Sequence, residues 1–231
     1  MAPMPIQESE LRLDDLQAIA YVPEGGSKGG VLLLPTNAGT DRSNRKSSQL
    51  LAEAGLTTLL WDPYPGRGVP PDDERSKWSS ATDDDWAFAG QARWLTYMAE
   101  ELGVERLGAL GFCMGGRLSL LLAARDHRLA ALVSYYPTIR RPIPPNQKYD
   151  AVDMAPEIRC PATIVCPGRD HITTTEVYDD LRKALRGREQ ATIAQVYPEA
   201  GHGFIQARKP EAAVKMSWPQ SVAFLTSNLL T

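Results

Sequence analysis

Short, almost unbroken apolar runs alternate along this chain with longer amphipathic stretches, and that alternation most limits what it can fold into. "GVLLLP" (30–35), "LTTLLWDP" (56–63), the run 105–111, "LAALVSYYP" (129–137), "PATIVCPG" (161–168) and "ATIAQVYP" (191–198) each read as a strand. A strand without polar alternation is covered on both faces, so the pattern predicts a mostly parallel central sheet with helices on both faces. Helices are expected at 41–54, 83–102, 115–125, 174–186 and 211–229, with Gly55, Gly103 and Gly187 closing three of them and Pro219 placed to kink the last. Segment 9–22 reads as one or two edge strands. No repeat or low-complexity linker interrupts the 231 residues, 43% of them hydrophobic, and 1–231 is expected to form a single α/β domain.

The chain carries a net charge of -3, which gives no electrostatic case for nucleic acid or an anionic membrane as partner. No apolar run approaches membrane-spanning length, and the first thirty residues lack the pattern of a signal peptide. Cys113, Cys160 and Cys166 do not look like a secreted disulfide framework; a reducing cytoplasm is the expected location, with Cys160 and Cys166 as buried packing residues. There is no C-x-x-C pair, and His127, His171 and His202 stand far apart, so neither a metal nor another cofactor is expected. The expected partner is a small molecule, met by a monomer or small homo-oligomer.

In sheets of this kind, sites lie beyond the carboxyl ends of the strands. After strand 105–111 comes Gly111-Phe112-Cys113-Met114-Gly115 and then a helix. A sharp strand-to-helix turn with a nucleophile at its centre needs small residues two positions to either side, and this stretch has them. The turn sets Cys113 at a helix N-terminus, where the dipole favours a thiolate. The alternatives are a buried filler cysteine, a redox-sensing thiol and a dinucleotide-binding turn, the last weakened by the lack of G-x-G-x-x-G.

A nucleophile needs a base, and the base an orienting group. Asp170 follows strand 161–166 in "PGRDH", and His202 follows strand 191–197 in "PEAGHGF". The order Cys113, Asp170, His202 fits a triad at three strand ends. His171 is the rival base, but it adjoins Asp170, and neighbouring residues rarely face one another.

These motifs resemble those of the dienelactone hydrolase (carboxymethylenebutenolidase) family of α/β-hydrolases. "GFCMGG", "PGRDHIT", "EAGHGF" and "LLWDPYPGRG" carry the resemblance, which spans roughly residues 10 to 229. It implies the α/β-hydrolase fold, with Cys113 as nucleophile, His202 as base and Asp170 as its orienting carboxylate. It also implies an oxyanion hole from the backbone N–H of Met114 and of Asn37 or Thr36. The implied reaction opens a small lactone or ester through a thioester, the substrate being a carboxylated dienelactone from aromatic-compound degradation. A general carboxylesterase or thioesterase and a non-catalytic ligand-binding protein on the same scaffold are the alternatives.

Two departures from the family pattern stand out. Thr36 replaces a glutamate that takes part in activating the thiol in family members. Gln206 stands where the family places a substrate-binding arginine. Arg208, Arg67 and Arg75 are then the candidates to hold a substrate carboxylate, and Tyr64, Trp78, Trp86 and Tyr136 the candidate pocket aromatics. Loop 62–82 is expected in the pocket wall, and the proline-rich loop 137–157 over the site or against another subunit.

Overall fold

The computed structural model describes residues 5–231. It contains eight strands: β1 (Ile6–Leu13), β2 (Leu16–Pro23), β3 (Gly29–Leu34), β4 (Thr57–Trp61), β5 (Arg106–Phe112), β6 (Leu129–Tyr135), β7 (Ala162–Arg169) and β8 (Thr192–Gly201). The helices are α1 (Arg42–Glu53), α2 (Arg75–Ser80), α3 (Asp84–Glu100), α4 (Met114–Arg125), α5 (Ala151–Met154), α6 (Thr175–Arg186), α7 (Phe204–Ala207) and α8 (Glu211–Leu229), with one 3-10 turn at Ala155–Glu157.

All the strands join one sheet in the order β1-β2-β4-β3-β5-β6-β7-β8. From β4 through β8 the pairings are parallel; β1 and β2 form an antiparallel hairpin, and β2 runs antiparallel to β4. This is the mostly parallel sheet expected from the apolar runs, in the α/β-hydrolase-like arrangement that the resemblance implies; segment 9–22 falls on β1, at the sheet's edge, and on β2, one strand in.

The strand β3 shows why a continuous apolar run was required. Leu32 and Leu34 enter the core beneath α3 and α4, while Val31 and Leu33 enter the opposite core with Leu51 of α1 and Leu225 of α8. Successive side chains point to opposite faces, and both faces are covered. Pro219 lies inside α8 rather than ending it. Asp41 and Asp83 are N-caps, their carboxylates accepting from N–H groups of the first turns of α1 and α3.

The two long loops are more ordered than a loop reading allowed: α2 lies within 62–82, and α5 with the 3-10 turn within 137–157. The chain leaves β3 toward β4 on one side and returns to β5 on the other, so the sheet's switch point lies between β3 and β5. Sites in open α/β sheets form outside the strand ends at such points.

Candidate active site

Cys113 stands at the end of β5, with φ 57 and ψ -115. Few residues with a side chain adopt positive φ, and its neighbours make it possible. A Cβ on Gly111 would lie 2.1 Å from the carbonyl oxygen of Gly115, and one on Gly115 would lie 2.1 Å from that of Leu34. These obstacles are backbone atoms and cannot swing aside, so both positions demand glycine. The Cys113 N–H donates to the Tyr135 carbonyl (3.0 Å), and its own carbonyl accepts from Arg117 (3.1 Å) and Thr138 (3.0 Å). The half-buried thiol is thereby fixed at the start of α4.

Asp170 directly follows β7, and its carboxylate is held from several sides. It accepts from the N–H of Ile172 (2.8 Å) and Thr173 (3.1 Å), from the Tyr178 hydroxyl (2.8 Å), and from His202 Nδ1 at 2.9 and 3.1 Å. The His202 and Asp170 side chains are 7% and 1% exposed. With Nδ1–H committed to the carboxylate, Nε2 is the ring nitrogen left for Cys113, buried and with no nitrogen or oxygen partner among the described residues. Burial works against a charged His202, but Asp170 and the Cys113 sulfur favour it more, and its pKa rises from 6.5 to about 9. Burial pushes the Cys113 thiol up; His202, then Thr138 and the Met114 N–H, outweigh it and hold the thiol below its usual range. The opposed shifts favour a thiolate–imidazolium pair. Cys160 and Cys166 are the reverse case: burial raises them to about 11 and about 12. The exposed His171 ring stands 5.8 Å from that of His202 and makes no hydrogen bond to Asp170 among the described residues.

Cys113 lines a cavity of about 130 Å³ together with Asn37, Met114, Leu118 and Ile172. α2 contributes Ser76, Ser79 and Ser80 to its wall, and the loop after β6 contributes Arg140, Asn146 and Gln147. Met114 and Asn37 both line the cavity beside Cys113, and the Met114 N–H faces the Cys113 sulfur. Beside the cavity Arg117 makes a bidentate pair with Asp84 (2.8 and 2.7 Å), so its charge is spent. Arg140 is exposed and makes no ion pair among the described residues, whereas its neighbour Arg141 pairs with Asp150 and Asp153. Among the described residues no three His, Cys, Asp or Glu side chains converge as metal ligands.

Cys113, Asp170, His202, Met114 and Asn37 are thus brought to one place. The residues expected to bind substrate do not line that cavity, and the reasons are local. Arg67 lies 3.5 Å over the Trp78 ring, and the Trp78 indole donates to Glu74 and packs on Tyr64. Arg75 is paired with Asp72, and Trp86 packs against Trp61. Tyr64 is buried, its hydroxyl donating to the Asn37 carbonyl behind the cavity (3.2 Å). Tyr136, at φ 34, is turned fully into the core, where its hydroxyl donates to Gln206. Arg208 faces a separate groove near α1. Thr36 lies back from the thiol: its hydroxyl accepts from the Ala38 N–H and the Asn44 side-chain amide, both at 3.2 Å. Arg140, Thr138 and the α2 serines were missed, since nothing in an aperiodic loop indicates which side chains face inward.

A thiol at a strained strand-to-helix turn, followed by an acid and a histidine at later strand ends of a mostly parallel sheet, defines an α/β-hydrolase-type protein. The profile described as the dienelactone hydrolase family matches residues 16–229, and the chain belongs to that family. A Salmonella typhi protein provisionally named a carboxymethylenebutenolidase is 34% identical over 117 residues, covering 49% of this chain and 43% of that relative. The match to this relative therefore spans less than half of its length. A carboxymethylenebutenolidase of Rhodococcus opacus is 27% identical over 215 residues, covering 86% of this chain and 81% of its own. A crystal structure from Klebsiella pneumoniae, provisionally named a dienelactone hydrolase, superposes with a TM-score of 0.86 over 96% of this chain and 99% of its own, at 23% identity. At that identity the likeness is one of fold.

Proposed function

We propose that the chain is a cysteine-dependent hydrolase of small lactones or esters. The observation that carries the proposal is the buried Nε2 of a carboxylate-bound His202 beside a thiol held at a nucleophile turn. Family membership supports the reaction class.

The Cys113 thiolate attacks the substrate carbonyl carbon, and the resulting oxyanion is placed to accept from the N–H groups of Met114 and Asn37. Collapse breaks the acyl C–O bond, and the leaving oxygen takes the proton from His202 Nε2. A lactone's leaving oxygen stays tethered to the acyl group; an ester's departs as an alcohol. Water then adds to the thioester as His202 accepts its proton, and the acid is released with the thiol restored. Asp170 keeps Nδ1 protonated throughout and stabilises the imidazolium. Each oxyanion donor contributes roughly 3 kcal/mol to lowering the barrier.

The cavity's size favours a small acyl group, and its hydroxyl and amide wall favours a polar one. Arg140 is the available cation for a substrate carboxylate, in place of the family arginine whose position Gln206 occupies. A panel of a dienelactone, simple aryl esters and thioesters, run on wild type and Cys113→Ala, tests this reading. Turnover lost with Cys113→Ala supports it; full turnover by that variant contradicts it.

A further inference from the structure

We propose that Thr138 is the positioning residue that holds Cys113 in its reactive form, taking the part for which Thr36 carries no suitable group. The inference rests on Cys113 being the nucleophile, and its test is separable from that reading. Thr36 spends its hydroxyl on Ala38 and Asn44. The Cys113 sulfur instead lies 3.1 Å from Thr138 Oγ1, within hydrogen-bond reach of that hydroxyl.

Two features make this contact a built one. The first is that Thr138 is clamped: its N–H donates to the Cys113 carbonyl (3.0 Å), tying it to the residue it contacts. On either side, the Thr173 hydroxyl donates to the Pro137 carbonyl (2.7 Å) and accepts from the Ile139 N–H (2.9 Å). Thr173 in turn donates its own N–H to Asp170 (3.1 Å), so one network sets both the acid and the thiol's partner. The second is that the Thr138 hydroxyl has no other acceptor among the described residues, so its proton points to sulfur when the thiol is ionised. A donor aimed at an anion in a half-buried site favours the charged form.

The test is the pH dependence of iodoacetamide alkylation at Cys113, followed by mass spectrometry so that Cys160 and Cys166 are scored separately. Thr138→Val keeps the shape and removes the donor; Thr138→Ser keeps the donor and removes a methyl group. Thr138→Val is expected to raise the apparent thiol pKa by about one unit, a roughly tenfold loss of thiolate below that pKa. Thr138→Ser is expected to restore the wild-type value, and kcat/KM for a good ester substrate should follow the same order. An unchanged pKa in Thr138→Val overturns the proposal. So does a Thr138→Ser variant as impaired as Thr138→Val, because the loss then comes from packing. Alkylation needs no turnover, so an enzyme whose Cys113→Ala variant stays active would sink the catalytic reading while leaving this titration interpretable.

Discussion

Replacing Arg117 by methionine tests how the outer wall of the cavity is held. The Arg117 and Asp84 side chains are only 6% and 2% exposed. Asp84 also accepts from the N–H of Lys148 (2.9 Å) and Tyr149 (3.2 Å), and Arg117 donates to the Tyr149 carbonyl (2.7 Å). The pair therefore fastens α3, α4 and the loop beyond Gln147 together. Burial alone would raise the Asp84 pKa; Arg117 and the two N–H groups hold it below the usual carboxylate range. Removing the guanidinium leaves a buried carboxylate with two N–H donors, a loss of about 3–5 kcal/mol. At roughly 2–4 °C per kcal/mol for a chain of this size, the melting temperature should fall by on the order of 6–20 °C. Urea unfolding measures the free energy, and Arg117→Met/Asp84→Leu should lose less than the two single variants together, by about 1–3 kcal/mol. The contribution of Asp84 should be present above about pH 4 and fade as pH falls through its lowered folded pKa. An Arg117→Met variant less than about 1 kcal/mol weaker, with an unchanged m-value, would refute the reasoning.

Asp170→Asn should lower kcat by about 10³–10⁴, because an amide no longer fixes the tautomer or stabilises the imidazolium; a loss under tenfold would contradict the assigned role. With the His202 pKa raised to about 9, kcat/KM should fall on the alkaline side near that value as the proton for the leaving oxygen is lost. The same ion pair should stabilise the fold fully below pH 6.5 and cease to do so as pH rises through about 9; an alkaline limb near 6.5 would argue against both. Arg140→Gln should raise KM for carboxylate-bearing substrates about tenfold or more while leaving neutral esters little changed, and equal effects on both would remove Arg140 from substrate recognition.

The sheet was legible because its strands must be apolar on both faces, so Val31 and Leu33 had to be as hydrophobic as Leu32 and Leu34. Cys113, Asp170 and His202 were legible because each follows a strand that the same pattern locates. The antiparallel hairpin at the N-terminal edge was only partly legible, since β1 alternates half-buried and exposed positions. The cavity wall was not. Arg67, Trp78 and Tyr64 satisfy one another in a cluster of their own, and the left-handed turn at Tyr136 sends its ring into the core. Their places went to Arg140, Ser76, Asn146 and Gln147, whose direction depends on how α2 and the loop after β6 dock. Such docking leaves no periodic trace in the residues themselves.

The most direct measurement is the mass of the protein quenched in acid during turnover of a slow ester or lactone. The expected result is one acyl group carried as a thioester on the peptide containing Cys113, absent in Cys113→Ala and accumulating in His202→Ala if any acylation persists. An acyl group on another residue, or turnover with no covalent species in either protein, would contradict nucleophilic catalysis by Cys113.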